Sequence, residues 1–209
     1  MRFQDRREAG RLLAERLEFL EEREELLVLG IPRGGVVVAD EVARALDAPL
    51  DVFIARKLRA PHNPELAVGA VASSGEVVLD ERLIEDLGVP QSYLEAETER
   101  QRAEIQRRMK AYRGGRPALD LKDKTIILTD DGVATGATMR AAIQALEATE
   151  LRELIVALPV GPPDIIQKLA NMVDRMVCLH TPSLFWAVGA FYVDFRQTTD
   201  AEVIQLLQG

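Results

Sequence analysis

Short, unbroken apolar runs recur along this chain, and between them apolar residues return every three or four positions. The first pattern suits strands covered on both faces; the second is the stripe of a helix with one buried face. LLVLGI (26–31), LDVFIARKL (50–58), TIILT from 125, ELIVALPV (153–160) and RMVCLH (175–180) read as strands. Helices interleave with them. One starts after Asp5, with Glu8 closing a capping box and Leu12, Leu13, Leu17 and Leu20 inward. VVVADEVARAL (36–46) turns Val38, Ala39, Val42 and Leu46 inward, and MRAAIQALEA, DIIQKLANMV (164–173) and a final AEVIQLL follow. LAVGAVA and EVVLD, joined by Ser73-Ser74-Gly75, read as a hairpin, after which Asp80 caps a short helix that stops at Gly88. A long polar helix runs from Ser92 to Tyr112, opened by Ser92 and Glu95, with acids early, bases late and a narrow stripe at Leu94, Ile105 and Met109. Repeated βα units joined by short loops predict an α/β fold, a mostly parallel twisted sheet flanked by helices on both faces. No internal repeat and no long linker divides the chain, so a single domain over 1–209 is expected.

Composition narrows the function classes. The formal charge of −8 argues against a nonspecific grip on nucleic acid or an anionic membrane. The basic half of the long helix could be read as an RNA patch, but its interleaved glutamates favour a solvated face. No apolar run approaches the roughly 18 residues of a membrane span, and the charged amino terminus lacks the apolar centre of a signal peptide. A soluble cytoplasmic protein is expected. One cysteine and two histidines exclude an internal disulfide and leave zinc few ligands.

The chemistry concentrates in TIILTDDGVATGAT, Thr125 to Thr138. A buried strand ends in Asp130 and Asp131, and a loop of small residues then opens a helix. Thr135, Gly136, Ala137 and Thr138 let several backbone N–H groups close on one anion, with two hydroxyls and the positive helix end adding to the attraction. The adjacent carboxylates would repel a phosphate, so they serve another part of the ligand, and vicinal sugar hydroxyls are natural donors to them. A ribose 5-phosphate unit satisfies both halves. Two other readings compete: a structural turn with a threonine cap, and a dehalogenase-like phosphatase. The latter needs acids one residue apart, whereas adjacent residues on an extended chain point to opposite sides.

The segment resembles the phosphoribosyl-pyrophosphate (PRPP) signature of the type I phosphoribosyltransferases: hydrophobic residues, an acidic pair, then a small-residue loop with Thr-Gly and a closing Thr. The resemblance implies that Asp130 and Asp131 are catalytic, holding the ribose hydroxyls, and that Val133, Ala134, Thr135, Gly136, Ala137 and Thr138 grip the 5-phosphate. GIPRGG (30–35) resembles the family's pyrophosphate loop, made by Pro32, Arg33, Gly34 and Gly35, with a non-proline cis peptide around Arg33–Gly34; an ordinary βα turn is the alternative. Arg56 and Lys57 match the basic residues that reach pyrophosphate. A flexible-loop hairpin (58–79) follows, with His62 and Glu65 in its lid, and a small hood lobe is expected from the N- and C-terminal segments. FWAVGAFYVDF (185–195) resembles the segment that covers the base in hypoxanthine-type enzymes, which places Trp186 on the base and Asp194 nearby; a core aromatic cluster is the other reading.

Two departures leave the acceptor open. Ala134 stands where hypoxanthine-type enzymes carry an aspartate, and Cys178-Leu179-His180-Thr181-Pro182 offers no base-reading lysine. The resemblance implies Mg²⁺-dependent transfer of the 5-phosphoribosyl group from PRPP to a nucleobase or related amine, with release of pyrophosphate, in nucleotide salvage and by a homodimer. The alternative is a regulator that binds PRPP or nucleotides without catalysing transfer.

Overall fold

The computed structural model describes residues 1–61 and 63–208, without the side chains of Pro64 and Glu65. His62 and the Glu65 side chain, both expected in the lid, therefore lie outside the described residues. The chain runs α1 (Arg6–Glu15), β1 (Leu26–Gly30), α2 (Gly34–Ala45), β2 (Leu50–Val52) and β3 (Ala55–Ala60). It continues through β4 (Asn63–Ala72), β5 (Val77–Leu79), α3 (Glu81–Leu87), α4 (Gln91–Arg113) and β6 (Thr125–Thr129). It ends with α5 (Ala137–Glu147), β7 (Glu153–Val160), α6 (Pro163–Ala170), β8 (Arg175–His180) and α7 (Asp200–Gln208).

Five strands form a parallel sheet in the order β2-β1-β6-β7-β8, with Val28 opposite Ile127 and Ile127 opposite Ile155. Strand periodicity sends successive residues to opposite faces. Leu27, Leu29, Ile126, Leu128, Val156 and Leu158 pack under α5 and α6, while Leu26, Val28, Ile127, Ile155 and Ala157 pack under α1 and α2. The α/β class and the doubly covered sheet are as the sequence pattern predicts.

Three elements differ from that pattern. LDVFIARKL does not form one strand. Phe53 is buried against the sheet core and Ile54 against a second core, so the chain leaves the parallel sheet there and starts a second sheet as β3. Continuous apolarity hid a change of partner. β3, β4 and β5 make a separate antiparallel sheet, of which the predicted hairpin is one half. The long helix begins at Gln91 after an extended Pro90, so Ser92 lies inside it; Glu95 accepts from Gln91 Nε2 at 3.2 Å instead of closing a capping box.

The second core lies between this small sheet and α4, where Leu94, Ile105, Met109 and Tyr112 meet Ile54, Leu58, Val68 and the α7 residues Val203 and Leu207. Elsewhere the termini meet. Phe3 N–H donates to the Phe191 carbonyl at 2.8 Å, and Asp194 N–H to the Gln4 carbonyl at 2.8 Å. Phe3 and Tyr192 are buried beneath this join. Among the described residues no helix is long and apolar enough to cross a membrane.

One fork-shaped ion pair clamps α4 to the parallel sheet. Arg113 Nε and Nη2 donate to Asp51 Oδ1 at 3.1 Å and Oδ2 at 2.7 Å, with side chains 16% and 7% exposed. Removing one partner strands a buried charge. Arg113→Ala is expected to cost about 3 kcal/mol in urea denaturation. A loss below about 1 kcal/mol would class the pair with exposed surface bridges.

Candidate functional site

β1 and β6 are neighbours, yet the helices that follow them leave to opposite faces: α2 joins α1, and α5 joins α6. That divergence is the switch point at which parallel sheets open a crevice beyond their carboxyl ends. Both candidate loops, GIPRGG and TDDGVATGAT, lie there.

They touch. A Cβ on Gly34 would stand 1.9 Å from Asp131 Oδ2, and one on Gly35 would stand 2.7 Å from the Asp130 Cα. The two glycines are therefore required by close approach: any side chain would displace the acidic pair. The cis peptide joins Pro32 to Arg33, one bond earlier than the resemblance implied. Gly34 already belongs to α2, which places the bond after Arg33 in the helix entry.

Each carboxylate has a defined partner. Asp130 Oδ1 accepts the Asp131 N–H at 2.8 Å, and Asp131 Oδ2 accepts from Arg6 Nε at 2.7 Å. Arg6 reaches in from the first turn of α1, whose start is fixed by Asp5 Oδ1 accepting the Glu8 N–H at 2.8 Å. Glu8 itself reaches back to the Gln4 N–H, one residue beyond the predicted box. Arg6 Nη1 donates to the Arg196 carbonyl at 2.8 Å, and its guanidinium lies 3.9 Å over the Phe195 ring. Phe195 stacks on Tyr192 at 5.0 Å, and the Tyr192 hydroxyl donates to the Asp131 carbonyl at 2.6 Å.

Burial holds the Asp130 carboxyl well above the usual carboxylate range, and the adjacent Asp131 adds to it. Burial also raises Asp131, while Arg6 opposes the shift by charge and hydrogen bond. The pair therefore holds a proton to higher pH than an ordinary aspartate does. Burial beside these carboxylates raises the Tyr192 phenol, which stays a donor.

The small-residue loop splits in two. Val133 lies in the core and its N–H donates to the Val160 carbonyl at 3.0 Å, so it has no backbone donor left for a ligand. Ala134, Thr135 and Thr138 are exposed at the α5 amino terminus, behind Gly136 at φ 68°. A Cβ on Gly136 would meet Ile165 Cγ2 at 2.8 Å. The opening turn of α5 presents N–H groups with no helical partner, which is the chemistry of an anion cradle.

The cations are anchored separately. Arg33 Nη1 lies 4.0 Å from Asp200 Oδ1, which also accepts the Tyr112 hydroxyl at 2.9 Å. Arg56 donates to Gln101 Oε1 on α4, and Gln101 Nε2 donates to Glu97 Oε1 at 2.8 Å. Burial, then Arg108, lowers the Arg56 pKa from its ordinary value. Lys57, on the opposite face of β3, lines a cleft of about 700 Å³ with Arg140 and Ala137 of α5. Trp186 stands 88% exposed with no ring contact among the described residues. Asp194 pairs with Arg196 at 3.0 Å. The structure therefore brings Arg33's loop and the acidic pair together, and it places Trp186 on neither. Arg6 and Tyr192 escaped the sequence reading, because no local motif ties residue 6 or 192 to residue 131.

The phosphoribosyl transferase domain family matches residues 4–196. The crystal structure of TT1426 from Thermus thermophilus superposes with a TM-score of 0.90 at 48% identity, over 99% of this chain and 98% of that one. A protein of Mycobacterium tuberculosis H37Rv, provisionally named a phosphoribosyl transferase, is 44% identical over 205 residues, covering 98% of this chain and 46% of that relative. The chain thus spans about half the length of that relative. The bifunctional protein PyrR of Deinococcus radiodurans is 32% identical over 150 residues, 69% of this chain and 73% of that protein.

The raised carboxyl has a measurable cost. A group whose folded-state pKa lies above its unfolded value stabilises the fold fully only below the unfolded pKa, and loses that contribution as pH rises through the folded pKa. For Asp130 the loss begins above the ordinary aspartate value of 3.8. Asp130→Asn keeps an oxygen for the Asp131 N–H, so it is expected to raise Tm by about 3 °C at pH 8 and by less at pH 4. A change equal at both pH values would show that Asp130 is not held protonated by its surroundings.

Proposed function

The chain belongs to the phosphoribosyl transferase domain family, and on that basis we propose that it transfers the 5-phosphoribosyl group of PRPP to a nucleobase or related amine, releasing pyrophosphate. One observation carries this reading: an acidic pair lies at the sheet's switch point, between a glycine loop pressed against it and a small-residue helix start. In the transfer, the bond between C1 and the pyrophosphate oxygen breaks as an acceptor nitrogen bonds to C1. Positive charge grows on the sugar and negative charge on the leaving group.

The roles follow from charge. Asp130 and Asp131 accept the ribose hydroxyls and face the developing cation. The α5 start, Ala134 to Thr138, receives the 5-phosphate. The loop from Pro32 to Gly35 receives pyrophosphate, with Arg33, Arg56 and Lys57 as the cations that meet it. Mg²⁺ would be held largely by oxygens of the substrate and by waters beside the acidic pair, where it would neutralise pyrophosphate charge. Among the described residues no group of three or more His, Cys, Asp or Glu side chains could hold a metal ion. The paired termini form a hood beside Asp131, and the acceptor enters under it. In this reading the protein acts in nucleotide salvage as a homodimer.

Pyrophosphate release from PRPP and Mg²⁺ across purines, pyrimidines and simple amines tests the reaction, and release with one acceptor identifies the substrate. PRPP binding without release from any acceptor would make the chain a sensor. Asp131→Asn is expected to lower turnover about a hundredfold with the fold intact, and unchanged turnover would remove Asp131 from the mechanism. In the wild type, kcat/KM for PRPP should fall as pH drops through a pKa above the usual carboxylate range, since only the ionised pair accepts both hydroxyls. A flat profile down to pH 5 would contradict this.

A further inference from the structure

Arg6 lies at the meeting point of three segments. Its side chain is 11% exposed and makes three contacts of different kinds: an ion pair with Asp131, a hydrogen bond to the Arg196 carbonyl and a stack on Phe195. The contacts close a circuit. Asp131 is held by its carboxylate through Arg6 and by its carbonyl through Tyr192, and Phe195 stacks against both holders. Asp131 is the only carboxylate within ion-pair distance of Arg6 among the described residues.

The contacts divide the oxygens of the pair. Asp130 spends Oδ1 on the Asp131 N–H, and Asp131 spends Oδ2 on Arg6. Both committed atoms lie against the backbone of Gly35 and Gly34. Among the described residues no other residue donates to the remaining oxygen of either carboxylate, and when one of the pair is protonated the two carboxyls hydrogen-bond to each other.

We propose that Arg6 is a positioning residue that sets what the acidic pair recognises: by occupying Asp131 Oδ2 it leaves two single acceptors, matched to the two hydroxyls of a vicinal diol. This rests on the reading above, in which the pair holds the ribose hydroxyls. Arg6 also reduces the net charge of the cluster from −2 to −1, which lets a phosphorylated sugar approach carboxylates that would otherwise repel it. Because the guanidinium is tied to Phe195 and Arg196, the diol site and the C-terminal segment are ordered together. Without Arg6, Asp131 can rotate its second oxygen into the crevice, and the match to two hydroxyls loosens.

The test compares ribose 5-phosphate with 2-deoxyribose 5-phosphate by calorimetry, in the wild type, Arg6→Met and Arg6→Lys. The wild type is expected to bind the ribose compound at least about tenfold more tightly, as a lost hydrogen bond to a charged acceptor implies. Arg6→Met should bring that ratio close to one, and Arg6→Lys, which restores a donor and a charge, should recover most of it. A structural role alone would weaken both ligands equally and leave the ratio intact, which would overturn the inference. Should Arg6→Met fail to fold, Phe195→Leu keeps the ion pair while removing the stack. Its ratio should fall between those of the wild type and one, and an unchanged ratio counts against the proposal.

A second readout is the pH dependence of ribose 5-phosphate binding. Asp130, Asp5, Glu202 and Tyr192 also face this cluster, and Arg6 supplies the cation that opposes them at Asp131. Its loss should move the acidic limb to higher pH, and an unmoved limb refutes the role. If neither sugar phosphate binds the wild type, the functional reading itself fails. If both bind the wild type equally, phosphosugar binding stands, but the pair does not hold the 2-hydroxyl and the role of Arg6 fails with that assignment.

Discussion

Two adjacent carboxylates in a partly buried crevice repel each other and lose hydration, so everything around them is arranged to make their position tolerable. A backbone N–H meets one, a guanidinium meets the other, and Asp130 retains a proton more readily than an ordinary aspartate. Glycines at 34 and 35 leave the space that the carboxylates fill. This single constraint ties the loop after β1 to the loop after β6, and it draws the amino terminus into the same site through Arg6. The C-terminal segment follows, since Phe195 and Arg196 hold the guanidinium and Tyr192 holds the Asp131 backbone. A chain of contacts that begins as charge compensation ends at the join between the amino-terminal segment and residues 191–194.

The cations proposed for pyrophosphate show the complementary arrangement. Arg33 leans toward Asp200 on α7, Arg56 is held by Gln101 on α4, and Lys57 faces Arg140 across a cleft beside α5. Their resting partners are weak: a 4.0 Å approach, a neutral amide, and a cleft wall. An anion with two phosphates competes well against such partners, because it adds the attraction between opposite charges that a neutral amide lacks. The helix α4 supports much of this. It clamps the sheet through Arg113 and Asp51, supports Arg56 through Gln101, and positions Asp200 through Tyr112.

That helix also shows how sequence reading can be right about pattern and incomplete about purpose. Its apolar stripe at Leu94, Ile105 and Met109 is buried as periodicity implies. The polar residues Glu97 and Gln101 on the same side are buried too, because they complete one another and Arg56. Similarly, the apolar run from 50 to 58 announced extended chain, yet nothing local marked the point at Phe53 and Ile54 where one core gives way to another. The acidic pair and the small-residue helix start were legible because their chemistry is contiguous, with carboxylates, glycine and hydroxyls all within nine residues of chain from Asp130 to Thr138.

Neighbours along the chain were enough to set the alternation of buried strands and one-faced helices, the cap at Asp5, the stop at Gly88 and the chemical character of the two loops. These depend on residues within a few positions of one another, where the 2.0 and 3.6 periods and backbone geometry operate. Packing of the layers was needed before Arg6 could meet Asp131 across 125 residues, Arg56 and Lys57 turn to opposite faces, Trp186 stand in solvent and the cis bond fall before Arg33. Such choices depend on which surfaces meet once the layers have packed, and charge and shape at those meetings leave no periodic trace in the chain.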